Sequence, residues 1–577
     1  MTKGIDPDTI AVRALNYWRP MFLPSYLGMR HFLDQMGRGG PREFLLAFLH
    51  HKLPLRKQAR YMPFTLFKSI NDLGDIEYRK CFAASPTSAF AESLALYYLS
   101  SVKTLENKKN VYSYLWPKSE ASGSSFRYFM EGFQAREYEV TNILRNNPQN
   151  VLLVYDVKKF YPSVKTDSVR NRLHAHLSDI DENKRRFVLS VAEQLLVTAQ
   201  QGIPVGPSVS CVLGNLAMEQ VDDKLINAFG NGYLRYVDDI YLICTKDRVT
   251  EANELVGAAI RNEGLNVQEA KNDELTSNDW LVSCPSIHER RLAIRFQLHM
   301  ERIRVFLLQK ETRLESLKRS YRGEGFSLPL QRLAATASYT RWIKYILNRR
   351  TQSWKYLFDS EKKLLKSAHE LREDFLHAAQ QVAGWCPIPR QGMMRRRWVT
   401  RLRFTLNRLL YLCPRELYPQ LLELMPSINE FYVHRQLLKA LIKNDLDEII
   451  QLPGPAVSTF ASIWREGGDS PPLYTKALLD AEGCFESICT LVSHGAIAPP
   501  ENWVEKLTLE RAELINFCRG YCPEKKRILG DRSFVDEIRS LQLGSEAEAN
   551  ANFLDWRYSD GEISHIDGLR LSAYGSI

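Results

Sequence analysis

Residues 232–244 read GYLRYVDDIYLIC, two short arms around Val237-Asp238-Asp239. Tyr, Leu, Ile and Val dominate the arms, residues that fit a pleated, half-buried surface. The stretch therefore predicts a β-hairpin whose tight turn projects adjacent carboxylates away from the sheet. An Asp-Asp pair in a turn is commonly just solvated, so its surroundings decide. Upstream, VLLVY at Val151–Tyr155 is a short apolar run that delivers Asp156 at its end, and VKKFYPSV follows with aromatics at Phe160 and Tyr161. Between the two lies QGIPVGPS, Gln201 to Ser208, a Gly/Pro loop that lets a substrate approach the backbone closely. It leads into SCVLGNLAMEQVDDKL, which reads as a helix.

Joining a nucleotide to a hydroxyl uses two divalent ions about 3.5–4 Å apart. Magnesium takes hard oxygen ligands and keeps some of its waters. Carboxylates from two neighbouring strands can bridge such a pair. Asp156 and Asp238 are 82 positions apart, so only the fold can bring them together. One ion would activate the attacking hydroxyl, and the other would hold the triphosphate and departing pyrophosphate.

Around this core the chain divides by texture. Residues 1–110 read as mostly helical, with PREFLLAFLHHKL (41–53) and TSAFAESLALYYLSSVKTL (87–105) carrying apolar residues at helical spacing. Residues 110–290 mix β-rich runs with helices such as DENKRRFVLSVAEQLLVTA. From 290 to 577 amphipathic helices dominate. Leu364, Ala368, Leu371 and Phe375 form one apolar stripe, and Trp398, Leu402, Leu406 and Leu409 another. The 577 residues carry 77 Lys plus Arg against 67 Asp plus Glu, a net charge of +10 that mildly favours polyanionic partners. Cys484 with Cys489, and Cys518 with Cys522, lack the His/Cys quartet of a zinc site. The absence of an apolar leader and of any run of about 18 apolar residues leads us to expect a cytoplasmic protein without membrane contact.

The three segments, in order and spacing, resemble motifs A, B and C of reverse transcriptases, and YVDD is a form of that family's YxDD box. The resemblance covers roughly residues 110–275. It implies an α+β fold, with a right-hand polymerase fingers-palm whose small antiparallel sheet is backed by helices. It also implies that Asp156, Asp238 and Asp239 are the catalytic acids, binding two Mg2+ (or Mn2+) with help from the Val157 carbonyl. Tyr161 falls at the steric gate that selects dNTPs, and Gln201 and Gly202 fall at the loop that contacts the incoming nucleotide. GLNVQEAKNDEL resembles motif D, with Lys271 at the lysine that protonates departing pyrophosphate. Lys118 and Arg127, in YSYLWPKSEASGSSFRYF, lie where basic residues clamp the triphosphate, although this segment departs from familiar finger motifs.

DVKKFYPSV, QGIPVGPSVSCVLGNL and the long helical C-terminus together resemble the abortive-infection and defence-associated reverse transcriptases of bacteria. That likeness implies an all-α, HEAT-like helical C-terminal region (290–577) in place of a thumb, anti-phage defence and homo-oligomer assembly. As in several members, it also implies DNA synthesis primed by a protein hydroxyl that leaves DNA attached covalently; some members polymerise without copying a template and others use a non-coding RNA. In the tail FLDWRYSDGEISHIDGLRLSAYGSI the candidates are Tyr558, Ser559, Ser564, Ser572, Tyr574 and Ser576. RRRWVTRLRF, with Arg395, Arg396, Arg397, Trp398, Arg401 and Arg403, suits contacts to product strand by phosphate pairing and base stacking; RWIKYILNRR, with Arg341, Lys344, Arg349 and Arg350, is a second such stretch. Two rival readings are a retron-like enzyme copying a non-coding RNA and a non-catalytic scaffold descended from a polymerase.

Overall fold

The structure, a computed structural model, describes Thr9, Ile10, Arg13, Ala14 and residues 61–519 apart from 72–73, 121, 286, 309–312, 336–342, 344–357, 386–388, 390–391, 453, 468–469 and 482. The expected helix at 41–53, the basic residues Arg341, Lys344, Arg349 and Arg350, and the tail hydroxyls from Tyr558 to Ser576 lie outside the described residues. The chain forms two compact units. One comprises 1–64, 80–283 and 524–543; the other comprises 65–79, 284–523 and 544–577.

A two-stranded hairpin, β1 (Tyr61–Ile70) and β2 (Ile76–Ala84), precedes helix α1 (Pro86–Leu99). Proline at the start of α1 loses nothing, because the first N–H groups of a helix have no internal acceptor, and the Ser85 side chain accepts from Ser88 N–H. Helix α2 (Phe129–Asn146) leads into β3 (Asn150–Asp156), then α3 (Thr166–His176) and α4 (Glu182–Thr198). Asp181 caps α4 by accepting from the N–H groups of Asn183 and Lys184. Next come α5 (Val209–Ala217), α6 (Glu219–Phe229), β4 (Tyr233–Tyr236), β5 (Asp239–Thr245), α7 (Val249–Asn262), β6 (Asp273–Thr276) and α8 (Ser277–Ser283).

Strands β3 to β6 form one antiparallel sheet in the order β4-β5-β3-β6. Six of the seven β3 residues are buried, the continuous apolar run of a strand covered on both faces. Side chains alternate, so Val154 and Tyr241, paired across the ladder, share a face. There Tyr241 packs edge-on against Trp280 of α8, whose indole N–H donates to Thr141 of α2. On the opposite face Tyr155 hydroxyl donates to Asn253 of α7. Asp156 and Asp239 have the parity of Val154 and Tyr241 and therefore stand on the α2 face.

The second unit is helical after residue 284: α9 (Ile287–Leu308), α10 (Arg313–Gly323), α11 (Glu361–Ala383), α12 (Gly392–Leu412), α13 (Tyr432–Lys443), α14 (Gly454–Gly467), α15 (Cys484–Ser493) and α16 (Leu509–Cys518). Both apolar stripes read from the sequence are buried on α11 and α12, in a core that continues to Cys518. Each Leu so buried contributes about 1.5–3 kcal/mol. No helix among the described residues is long and apolar enough to cross a membrane.

Candidate active site

The β3 and β5 strands pair so that Asp156 lies opposite Asp239, and β4 pairs with β5 so that Tyr236 lies opposite Asp239. Val237 and Asp238 are the two turn residues left between. The hairpin thus gathers the three aspartates at one end of the central strands, although 82 positions separate the first two. Asp156 is 9% exposed, whereas Asp238 and Asp239 are half-buried. Burial, then the charges of Asp239 and Asp156, push the Asp238 carboxyl up to about 7, and Lys271 opposes the shift. Lys271 Nζ lies 3.0 Å from Asp156 Oδ2, so the lysine assigned to motif D does meet the triad.

This donor set fits divalent cations. Three mutually repelling carboxylates are hard oxygen ligands whose ionised forms need a positive charge beyond the one Lys271 provides. Among the described residues no group of three or more His, Cys, Asp or Glu side chains closes into a preformed metal cage. An open set is what magnesium uses when waters and phosphate oxygens complete its shell. Val157 bridges Val267 through the flanking groups: Gln268 N–H donates to Asp156 O and Lys158 N–H to Asn266 O. The Val157 carbonyl therefore points to the other side of the strand, toward β5, where the Asp238 turn lies.

The turn itself is strained. Val237 has φ +57°, a region that costs a β-branched residue roughly 1–3 kcal/mol and persists only where its surroundings impose it. Its N–H donates to Ser113 Oγ at 3.0 Å and its carbonyl accepts from Arg235 Nη1 at 2.7 Å. Burial disfavours the Arg235 cation, yet Asp222 holds it above its ordinary value. From α2, Arg136 stacks its guanidinium 3.9 Å over the Tyr241 ring. Burial opposes that charge too, while Tyr241, Glu137 and Asp239 raise the pKa.

Tyr161 sits beside this cluster. Its ring packs edge-on against Phe160, its hydroxyl lies 3.0 Å from that of Tyr114, and Gly214 of α5 lies alongside, where a Cβ would make an ordinary contact 3.5 Å from the Tyr161 hydroxyl. Burial raises the phenol well above its usual range, with Cys211 next and Asp238 adding to it. Gly202, at φ +66°, rests on this turn. A Cβ would come within 2.4 Å of Tyr161 O, and Ile203 N–H donates to the same carbonyl. The Gly/Pro loop and the segment after Asp156 are thereby locked together, with Gln201 exposed at the loop's edge. Lys118 is exposed, and Arg127 is half-buried with Nε donating to Trp116 O.

The basic stretch on α12 does not present the surface expected of it. Trp398 is fully buried and donates its indole N–H to Val382 O, so its ring lies in the core and cannot stack on a base. Arg401 pairs with Glu289 through both arms at 2.8 Å, and Arg395 pairs with Glu430. Arg403 is buried with Nη2 on Glu430 O, and Arg397 Nη1 reaches Cys284 Sγ; Arg396 is half-buried. These guanidiniums have partners inside the helical unit.

Residues that the sequence reading passed over do the supporting work: Arg235, Asp222, Ser113 and Arg136. An arginine inside the apolar arm YLRY was a signal, because a buried guanidinium needs a carboxylate.

A small antiparallel sheet with three carboxylates at the ends of its central strands is a polymerase palm. Residues 103–315 match the family model described as reverse transcriptase (RNA-dependent DNA polymerase). The chain carries a reverse-transcriptase domain of fingers-palm fold, followed by a helical C-terminal region. No curated protein matches the chain. Similar solved structures include apo telomerase from Candida tropicalis truncated from its C-terminal domain (TM-score 0.26, 12% identity, covering 37% of this chain and 52% of that one). Another is telomerase from Candida albicans in complex with a TWJ fragment of telomeric RNA (TM-score 0.29, 11% identity, 66% of each chain). The chain thus spans about half to two-thirds of the length of these structures.

Proposed function

We propose that this protein is a DNA polymerase of the reverse-transcriptase type that joins dNTPs by two-metal nucleotidyl transfer. The observation that carries the reading is the register that sets Asp156 opposite Asp239 with Asp238 in the adjoining turn. Asp156, Asp238 and the Val157 carbonyl would hold the metal ions, and Asp239 would add charge from the neighbouring strand. Bound there, two Mg2+ or Mn2+ would activate the attacking hydroxyl and stabilise the charge on the leaving pyrophosphate. Tyr161 stands where the sugar of an incoming nucleotide would lie and excludes a 2′-hydroxyl. Gln201 and Gly202 border the nucleotide, and Lys118 and Arg127 clamp its phosphates. Lys271, already against Asp156, is placed to hand a proton to pyrophosphate.

The finer assignment is to bacterial anti-phage defence, with homo-oligomeric assembly and covalent priming from a hydroxyl of the chain. It is supported by DVKKFYPSV and QGIPVGPSVSCVLGNL together with the helical region that follows the palm in the chain. The test is dNTP incorporation with and without added RNA or DNA template, followed by a denaturing gel. Label that stays on the protein band until nuclease treatment supports covalent priming. Incorporation only on added template favours an RNA-copying enzyme, and no incorporation under any condition removes the polymerase reading.

A further inference from the structure

A polar network that the reaction above does not use grips the Val237–Asp238 turn from inside the domain. Arg235 and Asp222, the latter on α6, are each 1% exposed. Arg235 Nε and Nη2 donate to Asp222 Oδ1 and Oδ2 at 2.6 and 2.8 Å, and Tyr233 hydroxyl donates to Oδ1 at 2.6 Å. This pairing fixes the plane of the guanidinium. The remaining arm, Nη1, donates to Val237 O at 2.7 Å and to Asn215 Oδ1 at 3.3 Å. On the other side Ser113 Oγ accepts from Val237 N–H at 3.0 Å. Both polar groups of one residue are therefore held, and that residue is the β-branched one at φ +57°. Left to itself a valine avoids this region.

Stability alone does not account for the arrangement, since apolar side chains of similar volume commonly serve a core as well as a buried ion pair. What they cannot do is donate to the carbonyl of a strained turn. We propose that Arg235, oriented by Asp222, is a positioning residue that sets the Val237 conformation and thereby aims the Asp238 carboxylate at the metal site it shares with Asp156. The inference rests on the two-metal reading of the triad.

Two variants separate positioning from packing. Arg235→Lys keeps a charge opposite Asp222, but a point charge on a flexible stem cannot serve both Asp222 and Val237 O as the planar fork does. The combination Tyr233→Phe, Asp222→Leu and Arg235→Met replaces the network with apolar groups and leaves no orphaned charge. Full-length protein is used throughout. Fold is read by circular dichroism and melting, metal affinity by Mn2+ titration with electron paramagnetic resonance, and catalysis by kcat and KM for dNTP. For folded variants we expect Mn2+ affinity to fall about tenfold and kcat about a hundredfold, with KM within about threefold, the scale of a 1 Å misplacement. Ser113→Ala, which frees the other side of the turn, should shift both readouts the same way by less. Folded Arg235→Lys protein with wild-type Mn2+ affinity and kcat overturns the proposal, as do losses that merely track the unfolded fraction. Should the triple variant not fold, Arg235→Lys and Ser113→Ala decide. Wild-type protein that binds Mn2+ but incorporates no dNTP overturns the polymerase reading, and the Mn2+ titrations still decide the positioning role. Wild-type protein that binds no Mn2+ overturns both.

Discussion

Asp156 and Asp239 are the terminal register pair of the β3–β5 ladder, facing each other across the strands at the point where the hairpin turns. Facing residues of an antiparallel pair have Cα atoms about 4.5–5.5 Å apart, close enough for their side chains to share ligands. Replacing Asp238 and Asp239 together with Asn keeps size and shape but removes two negative charges from the set. Nucleotide incorporation should fall below detection while circular dichroism stays unchanged. A folded double variant that still polymerises would place the chemistry elsewhere.

The same crowding makes the metal-free protein sensitive to pH. Burial, and after it the charges of Asp239 and Asp156, push the Asp238 carboxyl of the folded chain from its ordinary 3.8 up to about 7. The unfolded chain therefore ionises first. Stability falls as pH rises from about 4 to 7 and stays low above that. In a chelator at pH 8, Asp238→Asn should melt higher than wild type, by roughly 2–4 °C for each kcal/mol regained. The difference should vanish near pH 4, and excess Mg2+ should reverse the order. Equal melting of the two proteins at pH 8 in chelator would show that Asp238 carries no such burden.

Glu92 is a second buried carboxylate with a structural task. It is 1% exposed and accepts from Val209 N–H at 3.0 Å and from Tyr61 hydroxyl at 3.0 Å, holding the start of α5. Burial raises it to about 7, against the pull of those donors. Glu92→Ala leaves both donors without their acceptor and should cost about 1–3 kcal/mol. Glu92→Gln keeps an acceptor oxygen and no charge. It should match wild type below about pH 4.5 and exceed it at pH 8. The unfolded chain ionises Glu92 from about 4.5 upward while the fold keeps it protonated up to about 7, so wild-type stability falls across that window and stays low above it. Melting curves across pH 4–9 check this, and a Gln variant that is weaker at pH 8 would contradict it.

On α12, Arg401 and Glu289 form a two-armed pair with side chains 16% and 8% exposed. Arg401→Ala strands a nearly buried carboxylate and should destabilise the chain by roughly 2–4 kcal/mol, somewhat less than a fully buried pair. Nucleic-acid affinity per folded molecule should not change. Denaturant melts combined with a fluorescence-anisotropy titration on single-stranded DNA separate the two effects. A large affinity loss with unchanged melting would restore the surface role expected from composition.

These two arginine clusters mark the boundary of what the sequence discloses. The hairpin, the strand ending at Asp156 and the stripes on α11 and α12 were legible because each depends on local alternation or helical spacing. The partners of the arginines were not, since Glu289 lies 112 positions from Arg401 and Asp222 sits on a helix while Arg235 is on a strand. Composition registers a basic run but not the carboxylate that neutralises it. For the same reason YLRY read as one arm of a hairpin: an arginine in an apolar arm signals a buried carboxylate partner, but the local sequence names neither Asp222 as that partner nor the turn as what the guanidinium holds.

Tyr161 offers the most direct test of nucleotide choice. Its ring packs against Phe160 beside Gly214, and its hydroxyl touches Tyr114. Tyr161→Ala removes the ring and opens room where a ribose 2′-hydroxyl would fit, so rNTP incorporation relative to dNTP should rise. Tyr161→Phe keeps the ring and loses only the hydroxyl contact with Tyr114, so discrimination should stay near wild type while stability drops by about 0.5–1.5 kcal/mol, the worth of one hydrogen bond. The ratio of kcat/KM values for dNTP and rNTP, measured on all three proteins, distinguishes the ring from the hydroxyl. If Ala and wild type discriminate equally, the sugar is selected by another group. If Phe relaxes selection as much as Ala, the Tyr114 hydroxyl pair, and not the bulk of the ring, sets the choice.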